Sequence, residues 1–259
     1  MALLMIRKIS KSFGGLSVLS SLDLDVFDSE IVGLIGPNGA GKTTLLNVIS
    51  GFLPPTSGKV IFRNVEISGL EPDQVVRKGI VRTFQASTLF MGSSVFDNVF
   101  TACHANYRTG IWQAFVHSSA VRKEEQALKQ KAVEILEFMN LASIKDEIAA
   151  NLPHGHQRVL GICIALAANP QLLMLDEPVT GMNPHETFTI VNLIRRIRDR
   201  GIAIIMVEHD MRAIMTVCDR VVVLNYGSKI AEGLPEEIST NKEVIEAYLG
   251  QEDIWGNVV

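Results

Sequence analysis

A short glycine-rich stretch, GPNGAGKTT at residues 36–44, constrains the fold of this chain more than any other feature. It follows the apolar run IVGLIG, which is typical of a buried strand, and a helix is expected to begin directly after it. Glycine permits the tight backbone curvature that points successive N–H groups at one anion, and the positive end of the following helix adds to that attraction. The stretch is therefore predicted to be a phosphate-binding loop between a strand and a helix.

The residue types in this loop suggest separate tasks for its side chains. Lys42 is predicted to reach the β and γ phosphates of ATP, and the Thr43 hydroxyl to ligate Mg²⁺. The alternative is a glycine-rich turn with an accidental lysine, and the flanking strand and helix argue against it. The predicted nucleotide-binding residues of the loop are Gly36, Pro37, Asn38, Gly39, Ala40, Gly41, Lys42, Thr43 and Thr44.

A second motif, LLMLDEP at residues 172–178, places two carboxylates after four apolar residues. This pattern is expected of a buried strand that delivers acidic groups to a site at its carboxyl end. Asp176 is predicted to hold Mg²⁺ through water, and Glu177 to polarise the water that attacks the γ phosphate. Acidic turn residues after a strand are common, so this interpretation depends on the phosphate loop in the same chain.

Strand and helix patterns alternate along the chain, which predicts an α/β fold with a parallel sheet covered on both faces. Helical periodicity is expected from about residue 94 to 168, with Ala127, Val133, Ile135, Leu136 and Met139 sharing one face. Helix starts are predicted at Asn183 with Glu186, and at Thr240 with Glu243. The predicted strands lie within 4–9, 22–27, 31–36, 59–67, 80–84, 171–177, 202–209 and 220–233.

Composition excludes several classes of protein. The 259 residues carry a formal net charge of −4, which gives no broad basic surface for nucleic acid, and none is expected as a partner. Three well-separated cysteines make a disulfide framework improbable and indicate a reducing compartment. No apolar run approaches the roughly 18 residues of a spanning helix, and charged residues come too early for a signal peptide.

The order of the phosphate loop, Gln85, a helix start at 152–157, Asp176-Glu177 and His209 resembles the nucleotide-binding subunit of an ABC transporter across essentially the whole chain. Within that family, TFQASTLFMGSSVFDNV, TGMNPHE and EVIEAYLG look most like the ATPase subunits of branched-chain amino acid importers. The resemblance implies a P-loop NTPase with a RecA-like parallel core at about 1–85 and 171–259. An antiparallel β edge sheet and a helical subdomain at about 86–170 complete the expected domain.

Three further roles follow from the resemblance. Gln85 would sense Mg²⁺ and the attacking water, and His209 would contact the γ phosphate and orient the water and Glu177. Phe13 would stack on adenine and supply affinity without base selectivity, because every base has a π face. A solvent-facing glutamine, a histidine at a strand end and a packed phenylalanine are the alternatives.

The helix start at residues 152–157, which we call the signature segment, departs from the family pattern Leu-Ser-Gly-Gly-Gln. Its residues are Leu152, Pro153, His154, Gly155, His156 and Gln157. The family presents this segment to the γ phosphate of a second subunit, and the lost serine hydroxyl would cost about 0.5–1.5 kcal/mol. N–H groups near Gly155 and a proline in the first helical turn would preserve an altered contact. Zinc at His154 and His156 is not expected, because no acidic or thiol partner accompanies them.

The implied protein works as a dimer with a second ATPase subunit, either a copy of itself or a relative. Membrane permease subunits would bind near residues 85–99, where Leu89, Phe90, Met91, Val95 and Phe96 could line a groove or pack inside. The expected location is the cytoplasmic face of a membrane, with an extracytoplasmic receptor selecting the solute. Alternatives are a lipid or polysaccharide exporter, a soluble ATPase of DNA repair or translation, and an inactive regulatory module.

Overall fold

The computed structural model describes residues 1–83, 89–105 and 119–248. The chain forms two compact units. One, which we call the sheet unit, consists of Met1–Arg82 and Gln171–Val259, and the other, the helical unit, consists of Thr83–Pro170. The alternation of strands and helices confirms the predicted α/β class.

The described strands are β1 (Ala2–Phe13), β2 (Leu16–Phe27), β3 (Ile31–Ile35), β4 (Ser57–Phe62), β5 (Val65–Glu66), β6 (Ile80–Arg82), β7 (Leu172–Asp176), β8 (Ala203–Val207), β9 (Arg220–Asn225) and β10 (Ser228–Gly233). The described helices are α1 (Lys42–Ile49), α2 (Pro72–Lys78), α3 (Val95–Ala105), α4 (Ser119–Phe138), α5 (His154–Ala167), α6 (Pro184–Asp199), α7 (Met211–Val217), α8 (Pro235–Ser239) and α9 (Lys242–Tyr248). Short 3₁₀ turns at Ala142–Ile144 and Ala149–Asn151 precede α5.

The larger sheet positions the candidate site. Its order is β10-β9-β3-β8-β7-β6, with every pairing parallel except that of the edge strand β10. Each residue of β3, β7 and β8 is buried, as expected for strands covered on both faces. Because parallel strands end at the same sheet edge, the segments after β3, β7 and β8 meet there.

The smaller sheet is antiparallel, in the order β2-β1-β4-β5. Leu4 of β1 and Leu24 of β2 share one hydrophobic core with Leu34 of β3 and with Leu45 and Leu46 of α1. Burial of this apolar surface fixes α1 against strands, and so fixes the loop that precedes α1.

The helical unit packs α3, α4 and α5 against one another. The predicted periodicity of α4 is right but its phase is partly wrong, because Ala127 is exposed and Leu128 is buried. The buried positions of the described part of α4 and of the turn after it are Leu128, Ala132, Ile135, Leu136, Phe138, Met139 and Leu141. Among the described helices, none has the length and apolar composition required to cross a bilayer.

One of the two predicted helix starts is confirmed and the other is wrong. Asn183 accepts hydrogen bonds from the backbone at the start of α6, and the Glu186 carboxylate accepts one from the Asn183 N–H. At α9 the cap is Asn241, which accepts from Glu243 N–H at 2.9 Å. Thr240 instead ends α8, since its hydroxyl donates to carbonyls of that helix. Asn caps a helix at least as well as Thr, so the local sequence allowed both registers.

Candidate active site

The phosphate loop has a backbone that only glycine fits at two positions. Gly36 has φ 150°, and a Cβ there would lie 2.1 Å from the carbonyl oxygen of Leu224. Gly41 has φ 102° and precedes the first residue of α1. It has no side chain that could accept the N–H groups of the first helical turn. Those donors therefore point outward from α1 with the positive end of the helix dipole behind them.

Lys42 carries the positive charge of the loop and is buried. Its side chain is 6% exposed, and its Nζ donates to the carbonyl oxygens of Gly36 at 2.5 Å and Pro37 at 3.0 Å. Burial lowers the pKa of Lys42, while the negative charges of Glu177 and Asp176 oppose that shift. The ammonium group is thus held inside the curve of the loop, where an anion would replace its carbonyl partners.

A cleft of about 230 Å³ opens beside the loop in the sheet unit. Its described lining consists of Val18, Asn38, Gly39, Ala40, Gly41, Lys42, Thr43, Thr44, Glu177, Val207 and His209. The structure therefore brings seven of the nine predicted loop residues together with two of the predicted catalytic residues.

Glu177 and His209 are in direct contact. Glu177 Oε1 lies 3.1 Å from His209 Nε2, and both side chains are partly exposed to solvent. The backbone of Glu177 has φ 51°, a left-handed conformation that is costly for a residue with a Cβ. Its N–H donates to the carbonyl oxygen of Val207 at 2.8 Å, so the ends of β7 and β8 are tied together. The strained turn aims the carboxylate into the cleft, where a general base would be needed.

Asp176, the predicted Mg²⁺ ligand, forms a buried ion pair that the sequence did not reveal. Arg82 Nη2 lies 2.7 Å from Asp176 Oδ2, with the two side chains 5% and 11% exposed. Arg82 also donates to Asn47 Oδ1 of α1 at 2.6 Å. The sequence feature that could have pointed to this ion pair is a single arginine at the end of the apolar strand β6. Because Arg82 pairs with Met174, it lies beside the end of β7 that carries Asp176.

Glu208 is a second functional candidate that the sequence did not single out. It is 1% exposed and accepts hydrogen bonds from Val179 N–H at 2.6 Å and His209 N–H at 3.1 Å. Burial raises the pKa of Glu208, while hydrogen bonds from Val179, His209 and Asp210 act in the opposite direction. The sequence could have pointed to Glu208, because this carboxylate directly follows the buried strand β8 and directly precedes the predicted site residue His209.

Phe13 ends β1 and is half exposed. The Nζ of Lys11 lies 5.1 Å from its ring centroid, a cation–π contact. Phe13 is not among the described residues that line the cleft. The smaller sheet contributes Val18 of β2 to that lining. Gln85 lies outside the described residues.

The signature segment belongs to the helical unit. The sequence predicts Pro153 in the first turn of a helix, but Pro153 lies one position before α5, which begins at His154. No described side chain caps the start of α5. Leu152 is buried, whereas Pro153, His154 and His156 are exposed and Gly155 is half buried. The segment thus presents uncapped backbone donors and two imidazoles to solvent.

Gln157 does not share that outward orientation. Its Nε2 donates to the carbonyl oxygens of Ala149 at 3.3 Å and Leu152 at 3.1 Å. Its side chain therefore closes the turn that leads into α5.

The predicted permease-contact region is only partly exposed. Phe90 and Met91 are exposed, but Val95 is fully buried in the helical unit, so of the two alternatives left open for it Val95 packs inside. Asn98 Oδ1 accepts from Phe90 N–H at 2.8 Å, and its Nδ2 donates to the Phe90 carbonyl at 3.0 Å. This buried amide fixes the turn that displays Phe90 and Met91.

Two family models match the chain: "ABC transporter" over residues 19–180, and "Branched-chain amino acid ATP-binding cassette transporter" over residues 228–254. The chain is 39% identical to the high-affinity branched-chain amino acid transport ATP-binding protein LivG of Escherichia coli (strain K12), over 96% of this chain and 98% of that protein. It is 38% identical, with the same coverage, to the corresponding protein BraF of Pseudomonas aeruginosa.

A crystal structure of the ADP conformation of an ATP-binding cassette of an ABC transporter superposes with a TM-score of 0.86 at 31% identity. It covers 97% of this chain and 100% of the other. The residues matched by the ABC transporter family model include the phosphate loop and the paired carboxylates. The chain therefore belongs to the ABC transporter family, as one of its ATP-binding, ATP-hydrolysing subunits.

Proposed function

We propose that this chain hydrolyses ATP to drive the import of branched-chain amino acids, or a related small solute, through separate membrane subunits. The observation that carries the proposal is the cleft of the sheet unit, where Lys42, Glu177 and His209 meet. The choice of solute rests on the branched-chain family match at residues 228–254 and on the names of the relatives LivG and BraF.

In the proposed reaction, the N–H groups of the loop bind the phosphates and Lys42 contacts the β and γ phosphates. Glu177 accepts a proton from the attacking water as the water oxygen bonds to the γ phosphorus. The bond between that phosphorus and the β–γ bridging oxygen breaks, and ADP and inorganic phosphate leave. His209, 3.1 Å from Glu177, contacts the γ phosphate and keeps the carboxylate oriented.

The donor atoms near the loop fit Mg²⁺, which prefers hard oxygen ligands and binds nucleotides through one or two protein groups. The Thr43 hydroxyl and the Asp176 carboxylate would hold it, and the sequence predicts that Gln85 assists. Mg²⁺ would supply positive charge to the phosphate oxygens. Arg82 keeps one Asp176 oxygen engaged at 2.7 Å, which fixes the direction of the carboxylate.

The signature segment supports a dimer. Exposed Pro153, His154 and His156 surround the uncapped start of α5, whose N–H groups suit an anion bound by another subunit. We propose that a second ATPase subunit, a copy or a relative, receives this contact at its bound nucleotide. Phe13, half exposed at the end of β1, would stack on adenine.

Exposed Phe90 and Met91 provide an apolar contact for a permease helix at the membrane surface. The subunit would lie at the cytoplasmic face of the membrane. An extracytoplasmic receptor would act on it only through the permease subunits.

The test is reconstitution of the chain with the membrane subunits that copurify with it, in lipid vesicles. With a matching solute receptor, leucine, isoleucine or valine should raise ATP turnover, and ATP should drive their accumulation. Glu177→Gln in the same complex is the matched control, because it should leave assembly intact and remove transport.

Other outcomes assign other functions. Stimulation by a lipid or polysaccharide, with no response to amino acids, would indicate an exporter. Stimulation by DNA or ribosomes, with no membrane subunits recovered, would contradict transport altogether.

A further inference from the structure

Glu208 is a buried charge to which the proposed reaction gives no task. Other buried charged side chains among the described residues already have a place in the account: Lys42 in the phosphate contact, Asp176 in the metal contact, and Arg82 as the ion-pair partner of Asp176. Glu208 is 1% exposed, at the point where β8 ends. A buried carboxylate is retained only where several donors satisfy it, so its partners indicate what it does.

The partners of Glu208 come from two separate loops. Its Oε1 accepts from Val179 N–H at 2.6 Å, and its Oε2 lies 3.4 Å from the Thr180 hydroxyl, both in the segment that follows Glu177. Oε2 also accepts from His209 N–H at 3.1 Å. One carboxylate therefore joins the loop after the proposed general base to the loop that begins with the proposed phosphate contact.

These loops must keep a defined spacing. Glu177 Oε1 and His209 Nε2 are 3.1 Å apart, and Glu177 holds a left-handed backbone with φ 51°. Such a conformation persists only where the surroundings determine it more than once. The Glu177 N–H bond to Val207 is one such restraint, and the Glu208 bridge two residues further along is another.

We infer that Glu208 is a positioning residue for ATP hydrolysis, which holds the Glu177 and His209 loops at their working separation. This inference rests on the roles proposed for those two residues. Glu208 touches neither nucleotide nor water in this account and acts only through the two loops.

A carboxylate is suited to this task because all of its partners are donors. Its two oxygens accept at four lone-pair positions and donate nothing. The amide of glutamine has the same shape, but its NH₂ would face an N–H group and leave that donor unpaired. Glu208→Gln is thus a nearly isosteric change that breaks one side of the bridge.

The experiment measures steady-state ATP turnover by the reconstituted transporter carrying Glu208→Gln. We expect kcat to fall about ten- to a hundredfold, the loss associated with a small misplacement of reacting groups, while KM for ATP stays within about threefold. A kcat within about twofold of the wild-type value overturns the inference. Glu208→Asp, which keeps the charge but shortens its reach, should lower kcat in the same direction if Glu208→Gln fails to fold.

The matched control is Asp210→Ala, two positions away. Asp210 caps α7 by accepting from the N–H groups of Arg212 and Ala213, so loss of its side chain weakens the same region. The backbone N–H of residue 210, which also bonds to Glu208, is kept in alanine. We expect kcat to change less than about twofold in this variant. An equal fall in kcat for both variants would reduce Glu208 to a stabilising group and overturn the inference.

A double-mutant cycle with His209→Ala tests how Glu208 acts. If Glu208 works by placing His209 and Glu177, Glu208→Gln should lower kcat less than about threefold in the His209→Ala background. Additive effects would overturn the inference. Should Glu177→Gln and His209→Ala themselves retain normal turnover, the proposed reaction fails instead, which separates the two results.

Discussion

The cleft of the sheet unit and the signature segment of the helical unit are both predicted to contact phosphate, yet they are built in opposite ways. In the cleft, Lys42 is buried against loop carbonyls and Glu177 already contacts His209. In the segment, Pro153 and both imidazoles face solvent, and the backbone donors at the start of α5 lack a side-chain cap. The difference teaches that the first surface is organised within one chain, whereas the second fits our proposal that a partner subunit completes it.

Removal of Arg82 should disrupt the organised region most. Arg82→Ala removes the ion-pair partner of buried Asp176, so we expect the free energy of unfolding to fall by about 3–5 kcal/mol. Arg198→Ala is the control, because the ion pair of Arg198 with Asp219 is more exposed and should contribute less than about 1 kcal/mol. Chemical denaturation measures both. Equal losses would mean that the buried pair does not organise the cleft.

Loss of the Lys42 ammonium should weaken nucleotide binding. Lys42→Ala removes charge-assisted bonds to phosphate worth about 2–3 kcal/mol, so Kd for ATP should rise about 30- to 150-fold. Lys59→Ala changes an exposed residue of β4 that is paired with Glu66, and it should leave Kd unchanged. Calorimetric titration gives both values, and an unaltered Kd for Lys42→Ala would remove the loop from ATP binding.

The signature segment should respond more weakly, because we propose that its backbone donors make the phosphate contact without the family hydroxyl. Pro153→Ser restores that hydroxyl, which is worth about 0.5–1.5 kcal/mol, so ATP should bind the assembled transporter about two- to tenfold more tightly. Pro153→Ala removes the proline without adding the hydroxyl and isolates its effect. Identical ATP affinities for the two variants would show that position 153 does not contact phosphate.

Two of the buried thiols, Cys163 of the helical unit and Cys218 of the sheet unit, offer the smallest expected effect. Burial raises the pKa of Cys163 in α5 and of Cys218 after α7, so the thiolate forms only well above neutral pH. At pH 8 the folded chain should react with a thiol reagent far more slowly than the unfolded chain, with the rate increasing as pH rises. Peptide mapping assigns the modified residue. Fast labelling of Cys163 alone would reveal opening of the helical unit.

The phosphate loop and the paired carboxylates could be predicted because each is a local pattern that carries its own strand or helix context. Arg82 and Glu208 could not, since their roles come from partners at distant positions, Asp176 in one case and Val179 in the other. Local ambiguity explains the smaller errors. Asn241 competes with Thr240 as a cap, and Leu128 with Ala127 for the buried face of α4.

The most direct test of the account is single-turnover cleavage of ATP by the transporter assembled with Glu177→Gln. The account predicts ATP affinity within about threefold of the wild-type value and γ-phosphate cleavage slowed about 10²- to 10⁴-fold, the contribution of a positioned general base. Cleavage within about twofold of the wild-type rate would show that the strained Glu177 turn does not supply the base, and would contradict the account.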